Sequence, residues 1–229
     1  MSNNTSWGQA TSYREMNMRN IYKYTTRERM LVMSMDAFDF YTKDGPAPKM
    51  KITCSNYDVK RTEGARITDS VDAYIPLPKF LVLAHDIEAG VLARKKMARG
   101  DAPQTGAANE PYFCHFGGTF PKNGDPSTCV SRRLTLVEGL GSASFAFVAT
   151  AGPGEVDQKT GLIVPKAGTK PTVSVFINMP DDKLKELSII GRIYAEQFIG
   201  LLLQEQLKSV RQQREAYRES RASDGGYEA

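Results

Sequence analysis

A short segment of this chain occurs twice, and this repeat constrains the fold more than any other feature. Residues 71–78 read Val-Asp-Ala-Tyr-Ile-Pro-Leu-Pro, and residues 173–180 read Val-Ser-Val-Phe-Ile-Asn-Met-Pro. Both copies begin as an alternating apolar strand and end in a proline, which is well tolerated in the first turn of a helix. Further along the chain, Ile87 aligns with Ile189 and Ala93 aligns with Ala195. A repeated strand-to-helix junction indicates a duplicated fold.

Four strands and one helix are predicted in each half of the chain. Apolar runs bounded by Gly, Pro and Asp are typical of strands, above all where they alternate with polar residues. In the first half the predicted strands are residues 29–34, 36–41, 49–54 and 67–75, followed by a helix from Pro78 to about Arg99. In the second half they are residues 133–137, 142–149, 162–164 and 171–177, followed by a helix from Pro180 to about Arg221.

The predicted fold class is α+β, with two tandem antiparallel ββββα units forming a pseudo-two-fold domain and a long C-terminal helix. The predicted boundaries are a flexible N-terminal segment (1–26), a first unit (27–99), a Gly/Pro-rich linker (100–129), a second unit (130–222) and a disordered tail (223–229). Inside the linker, residues 112–120 form an aromatic patch. Such a patch either packs against the body of the protein or presents its rings to a ligand.

The composition indicates a folded protein outside the membrane. Of the 229 residues, 41% are apolar and 24% are charged, which is ordinary for a globular domain. No apolar run approaches the ~20 residues that a transmembrane helix needs, and the N-terminal residues lack the pattern of a signal peptide. We therefore expect a cytoplasmic protein. The net charge of +4 permits a nucleic-acid partner without requiring one.

The sequence offers no catalytic or metal-binding constellation, so we expect neither enzymatic activity nor a cofactor. Only two histidines are present, and the motifs of common nucleophiles, phosphate loops and metalloproteases are missing. Cys54, Cys114, His115 and Cys129 could supply four zinc ligands in principle. They lack the C-x-x-C or H-x-x-x-H spacing of structural zinc sites, so incidental thiols are favoured.

The predicted antiparallel sheet suggests a binding surface. A sheet covered by helix on one face leaves its other face open. Basic and aromatic side chains on such a face are typical of single-strand binding, because rings stack on bases and cations follow the backbone. The alternative is that the rings belong to the core and the cations form a solvated rim. The candidate nucleic-acid-binding residues are Lys49, Lys51, Tyr57, Lys60, Arg61, Arg66, Tyr74, Arg132 and Arg133.

The last predicted helix changes character along its length. Its middle, residues 198–203, is apolar almost all round, which favours burial on more than one side. Because this stretch is too short to span a bilayer, it indicates self-association instead. The candidate oligomerisation residues are Phe198, Leu201, Leu202 and Leu203.

The predicted order of four strands and a helix, present twice and followed by a long helical segment, resembles the Whirly-type superfamily of single-stranded-DNA-binding proteins. Relatives of that group include the positive-cofactor-four-like coactivators. The resemblance covers about residues 27–205 and rests on topology and repeat. The plant Whirly run Lys-Gly-Lys-Ala-Ala-Leu is absent from the chain, so no residue role is transferred.

The resemblance implies a non-enzymatic protein that binds single-stranded DNA with little sequence preference, in replication, DNA transfer or repair. It also implies a homo-oligomer assembled through helices. Two alternatives stay open at this point. One is a structural scaffold protein whose sheets and long helix only build an oligomer, and the other is a single-stranded RNA-binding protein.

Overall fold

The computed structural model describes residues 20–36, 41–42, 45–62, 65–99, 110–140 and 144–224. The first half of the chain forms a four-stranded antiparallel sheet. In sheet order, its strands are β1 (Asn20–Thr25), β2 (Arg29–Asp36), β5 (Lys49–Tyr57) and β6 (Ile67–Pro76). Between β2 and β5, a two-stranded ribbon forms from β3 (Tyr41–Thr42) and β4 (Gly45–Pro46).

Two short helices follow the first sheet. They are α1 (Leu77–Glu88) and α2 (Val91–Arg99). Gly90 separates them with a φ of 68°, a left-handed conformation that favours glycine and ends helices. The sequence predicted one helix from Pro78 to Arg99. That prediction is wrong at Gly90, because the apolar spacing does not reveal that the first helix ends before this glycine.

The second half repeats this order around a second sheet. Its main strands are β7 (Phe113–Thr119), β8 (Val130–Glu138), β9 (Phe145–Val156) and β11 (Val173–Met179). The short strand β10 (Ile163–Pro165) pairs with the far end of β9, beyond the part that pairs with β11. A single 3-10 turn, Pro126–Thr128, leads into β8. The last helix, α3 (Asp181–Asp224), has 44 residues and is therefore about 66 Å long.

The two halves share one topology, and the predicted fold class is confirmed. The order β1, β2, β5, β6 and helix in the first half corresponds to β7, β8, β9, β11 and helix in the second. The registers agree as well, since Ile75 pairs with Met50 and Ile177 pairs with Phe147. The repeated segments therefore occupy equivalent strands. The ribbon of β3 and β4 and the strand β10 are additions to the repeated plan.

One hydrophobic core joins both sheets to the helices. Met33 and Ile52 of the first sheet and Leu136 of the second are fully buried within it. Gly191 brings α3 close to α1, because a Cβ at this position would overlap the ring of Phe80. Among the described residues, no helix is long and apolar enough to cross a membrane.

Two edge strands lie in the segments that were predicted to be a flexible N-terminal segment and a linker. Residues 20–25 belong to the predicted flexible segment, yet they form β1 and pair with β2. Residues 113–119 belong to the predicted linker, yet they form β7 and pair with β8. In β1, Tyr22 is buried and Tyr24 packs against the core, although the surrounding sequence is polar. In β7 most residues are half-buried, although the surrounding sequence is rich in glycine.

Several predicted strands are displaced as well. The strand predicted at residues 36–41 is wrong at both ends, because Asp36 ends β2 and Tyr41 lies in the separate ribbon. Residues 37–40 lie outside the described part of the chain. The strand predicted near 162–164 is the added β10 and not a member of the repeated four. The last helix continues to Asp224, past the predicted start of the tail at residue 223.

Candidate nucleic-acid interface

An open cleft lies where the last strand of the first sheet, β6, meets the first strand of the second sheet, β7. Its volume is about 680 Å³, which falls within the range of about 300–1,000 Å³ typical of ligand sites. The walls come from both sheets and from the residues that lead into β10. We refer to this cavity as the edge cleft. Its chemically informative lining residues are Lys49, Asp72, Tyr74, His115, Phe116, Phe120 and Arg132.

Side-chain hydrogen bonds hold the two walls of the edge cleft together. Nε2 of His115 on β7 lies 2.9 Å from the carbonyl oxygen of Tyr74 on β6. Because a carbonyl only accepts, Nε2 carries the hydrogen and donates it. Burial, reinforced by the charge of Lys79, lowers the pKa of His115 to about 4, so the ring is neutral at pH 7. Lys79 of α1 adds a second link by donating to the carbonyl oxygen of Cys114 at 2.8 Å.

Each sheet contributes one basic side chain to the edge cleft. Lys49 comes from the start of β5, and Arg132 comes from β8. Burial lowers the pKa of Lys49, while the nearby charge of Asp36 acts in the opposite direction. Arg132 is half-buried and donates from Nη1 to the hydroxyl of Thr119 at 2.9 Å. The cations therefore have defined positions on two walls of one cavity.

Lys51 lies beside the edge cleft, but an acidic neighbour compensates its charge. Its Nζ is 3.0 Å from a carboxylate oxygen of Asp72 and 5.4 Å from the centre of the Tyr74 ring. Only 17% of its side chain is exposed. Burial opposes the charge on Lys51, yet the hydrogen bond and charge of Asp72 outweigh it and raise the pKa. Asp72 itself lines the cleft and adds negative charge there.

Aromatic rings accompany the cations. Tyr74 and Phe116 are half-buried in the lining, and Phe120 is 59% exposed at the mouth. An exposed phenylalanine next to half-buried rings can accept a planar group on its face, because every nucleobase has a π-face for stacking. Phe116 also lies opposite Arg133 in the register of β7 and β8, so the outer face of this edge carries a further exposed cation.

A second basic cluster lies at the other end of the first sheet. Arg66 donates from Nη1 to the hydroxyl of Tyr57 at 3.3 Å and from Nε to the carbonyl of Arg61 at 3.3 Å. Arg61 pairs with Asp58 at 3.4 Å, and Lys60 is exposed in the same turn. At about 3.4 Å per strand residue, the distance along β5 from Lys49 to this end is on the order of 27 Å.

The structure thus divides the candidate residues among three places. Lys49, Tyr74 and Arg132 line the edge cleft, with Lys51 next to them. The turn between β5 and β6 holds Tyr57, Lys60, Arg61 and Arg66, and Arg133 lies on the outer face of the second sheet.

Sequence reasoning did not place three lining residues of the edge cleft among the candidates, namely His115, Phe116 and Phe120. The available signal was the aromatic patch at 112–120, which was assigned to a linker. His115 and Phe116 lie within β7 and Phe120 directly follows it, so a strand assigned to this patch would have placed all three beside the second sheet.

The candidate oligomerisation residues differ in exposure. Phe198 is fully buried in the core of its own chain, so it is not available as a subunit contact. Leu201 and Leu202 are half-buried and pack against that core, while Leu203 is 52% exposed. Phe198 is therefore removed from the candidate oligomerisation residues. A helix that is apolar on all sides can bury one of them within its own domain.

The cysteines do not come together as a metal site. Cys54 and Cys129 are buried, and Cys114 is half-buried on β7. Within the part of the chain that the structure describes, no group of three or more His, Cys, Asp or Glu side chains could hold a metal ion. The thiols are free.

The chain has distant likenesses among solved structures. No family model matches the sequence, and no curated protein matches it. Among solved structures, the chain is similar to WHY1 from Arabidopsis thaliana, with 9% identity over 78% of this chain and 90% of that one and a TM-score of 0.42. It is also similar to the plant transcriptional regulator PBF-2, with 10% identity over 82% and 86% of the two chains and a TM-score of 0.43. These structural neighbours are Whirly proteins, the group that the sequence resembled.

Proposed function

We propose that this protein binds single-stranded nucleic acid, DNA in preference to RNA, in the edge cleft. One observation carries the proposal: a cavity between two sheet edges combines Lys49 and Arg132 from different sheets with the exposed ring of Phe120. Two cations on separate walls suit a phosphate backbone that crosses the cavity, and the ring suits a base. Arg133, on the outer face, extends the basic track beyond the cleft.

The chemistry of the edge cleft also supports binding with little sequence preference. Stacking depends on the face that all bases share, and phosphate contacts carry no sequence information. The proposal includes a role in replication, DNA transfer or repair, without enzymatic activity or a cofactor, and a cytoplasmic location. These parts rest on the resemblance and composition described above.

A titration with fluorescent oligothymidine at several salt concentrations tests the proposal. Each cation that neutralises one phosphate of a single strand contributes about 0.7 to the salt slope. Replacing Lys49 and Arg132 with Gln should therefore weaken binding and reduce the magnitude of the slope by about 1.4. Phe120→Ala should weaken binding by about 1–3 kcal/mol with the slope unchanged, because stacking releases no counterion.

Matched controls separate the edge cleft from general surface effects. Lys95→Gln with Lys185→Gln removes two exposed helix cations, and Leu140→Ala removes an exposed apolar side chain. Both control variants should bind like the wild type. Duplex and oligouridine competitors report strand and sugar preference. If the wild type fails to bind any single strand, the scaffold alternative replaces this proposal.

We further propose that the protein forms homo-oligomers through α3. Leu203 supports this part, since it lies on the helix with half its side chain exposed. Light scattering of the wild type and of a Leu203→Glu, Leu207→Glu variant tests it. A lower mass for the variant at unchanged helix content supports assembly through α3, and equal masses contradict it.

A further inference from the structure

The helix α3 has two apolar faces, and only one of them is covered. Leu184, Leu187 and Ala195 face the sheets and α1 and are buried. On the other side, apolar residues from Ile189 to Tyr217 are 37–61% exposed. Among the described residues past Leu202, none belongs to the core or packs against it. A long helical segment of this kind is marginally stable in water unless its apolar face is packed.

The exposed face follows a heptad pattern. The positions along it are separated by four and three residues in strict alternation, which is the spacing of a coiled-coil seam. We call these positions the seam, and its members are Ile189, Ile193, Glu196, Gly200, Leu203, Leu207, Val210, Arg214 and Tyr217. Six of the nine seam positions are apolar, and an apolar repeat of this length is typical of a helix that pairs with another helix.

Two seam residues are charged, Glu196 and Arg214, and they favour one pairing over the other. Glu196 also pairs with Arg192 of its own helix at 3.2 Å. In a parallel, in-register pair of helices, Glu196 would face Glu196 and Arg214 would face Arg214. In an antiparallel pair centred at Glu205, Glu196 of each copy instead faces Arg214 of the other. We infer that α3 pairs with α3 of a second copy in this antiparallel register, which rests on the proposed self-association through the same helix.

Between Ile193 and Tyr217, the other layers of the antiparallel register are complementary in size. Leu203 faces Leu207 of the second copy on both sides of the centre, and Ile193 faces its Tyr217. Gly200 faces its Val210, so the smallest seam residue meets a branched one. Apolar contacts thus fill the layers between the two charged pairs.

The surface at Gly200 has the shape that this register requires. A groove of about 380 Å³ is lined by Ile193, Glu196, Gln197, Gly200, Leu201 and Gln204. A Cβ built on Gly200 would meet no atom within 4 Å. The groove therefore has room for the valine side chain of a second copy, which would enter as a knob into a hole.

Charge reversal tests the register. Arg214→Glu places two Glu–Glu pairs in the antiparallel dimer and should weaken the dimer on the order of tenfold in sedimentation equilibrium. Adding Glu196→Arg to the same chain restores opposite charges and should recover the affinity. Arg218→Glu is the matched control, because it makes the same change at an exposed position outside the seam. A parallel pair predicts that Arg214→Glu has no larger effect than Arg218→Glu, and that result overturns the inference.

Cysteine crosslinking gives an independent readout. In a Cys114→Ser background, the other native cysteines are buried. The variant Gly200→Cys, Val210→Cys should form covalent dimers on oxidation, whereas Val210→Cys alone should not. Covalent dimers from Val210→Cys alone would show a parallel pair and overturn the register.

The Leu203→Glu, Leu207→Glu variant separates the two proposals. If it has the mass of the wild type, self-association through α3 fails. If its mass falls while the charge and cysteine variants behave as in a parallel pair, only the register fails. Oligothymidine binding is measured in separate titrations, so the proposal of nucleic-acid binding is tested independently of self-association.

Discussion

His115 and Tyr74 join the two sheets through one hydrogen bond, from Nε2 of the ring to the main-chain carbonyl oxygen at 2.9 Å. The donor lies on β7 and the acceptor on β6, so the bond crosses the edge cleft and fixes its width. The bond requires a hydrogen on Nε2, which both the neutral and the protonated ring can carry, and burial favours the neutral form.

This relationship predicts a pH dependence of stability. The pKa of His115 falls from 6.5 to about 4 on folding, chiefly because of burial and then because of Lys79. Between these values the unfolded chain binds more protons than the folded one, so the free energy of unfolding rises with pH. Above pH 6.5, His115 does not reduce the free energy of unfolding. Its destabilising effect grows as the pH falls and is complete below about pH 4.

Denaturant unfolding at pH 7, 6, 5 and 4 measures this effect. His115→Gln keeps a donor near the Nε2 position but does not titrate, so its stability should decline less steeply than that of the wild type. His85→Gln removes the exposed histidine of α1 and should follow the wild type. Equal slopes for His115→Gln and the wild type would show that this ring does not control the acid sensitivity.

The repeated strand-to-helix junction was predictable because its signals are local. Alternation in residues 71–78 and 173–180 and the prolines at their ends are enough to place β6, β11 and the helices that follow. β1 was missed because its inward face depends on Tyr22 and Tyr24, which stand in a polar sequence. Their partners on β2 are known only from the register of the folded sheet.

Tyr22 provides a direct test of the corrected N-terminal strand. It is 8% exposed, and its hydroxyl donates to the carbonyl of Lys183 on α3 at 3.1 Å. Burial raises its pKa to about 12, so the donor keeps its proton. Tyr22→Ala should lower the free energy of unfolding by about 3–5 kcal/mol, as for other buried aromatics.

The neighbouring Lys23 is the matched control, since its side chain is exposed on the other face of β1. Lys23→Ala should change the free energy of unfolding by less than about 0.5 kcal/mol. Chemical denaturation monitored by circular dichroism compares the two variants. Equal stability of Tyr22→Ala and the wild type would contradict a packed β1 and support the flexible segment that the sequence predicts.

β7 was missed for a different reason. Gly117 and Gly118 look like a turn in sequence, but Gly118 is needed for contacts that only the fold creates. A Cβ on Gly118 would overlap the carbonyl oxygen of Val130 and approach Cγ2 of Ile163 to 2.7 Å. The glycine therefore lets β10 lie close to β7 and β8. Nothing in residues 113–119 alone could reveal this neighbour.

The two adjacent glycines give a matched pair of variants. Gly118→Ala should lower the free energy of unfolding by about 1–3 kcal/mol, the usual cost of overpacking. Gly117→Ala should be nearly neutral, because its Cβ would meet only Nε2 of His115 at an ordinary 3.9 Å. Thermal or denaturant unfolding compares them. A loss of stability at Gly117 as large as at Gly118 would mean that the strand itself, rather than β10, requires glycine.

The candidate binding residues were predictable in type more than in arrangement. Alternation on β5 identified Lys49 and Lys51 as members of one face. The pairing of β5 with β6 then decides their different roles, because it brings Asp72 within 3.0 Å of Lys51. Lys49 lines the edge cleft, whereas Lys51 shares its charge with a carboxylate. The sequence pattern of β5 treats the two lysines as equal.

The Asp72 carboxylate therefore yields the sharpest prediction for nucleic-acid binding. Asp72→Asn removes a negative charge from the lining and keeps an oxygen that can accept the 2.7 Å hydrogen bond from the hydroxyl of Thr53. It also releases Lys51 from its ion pair. Binding of oligothymidine should become tighter, and the magnitude of the salt slope should increase by up to about 0.7 as Lys51 gains a phosphate.

Asp69→Asn on the same strand is the control, since it removes an exposed carboxylate that bonds to Asn56 away from the cleft. Its salt slope should match that of the wild type. Combining Asp72→Asn with Lys51→Gln should return the slope to the wild-type value, because the released cation is then missing. If Asp72→Asn binds oligothymidine no more tightly than Asp69→Asn, the bound DNA does not pass this wall of the edge cleft. The cluster around Arg66 and Tyr57 is then the surface to test next.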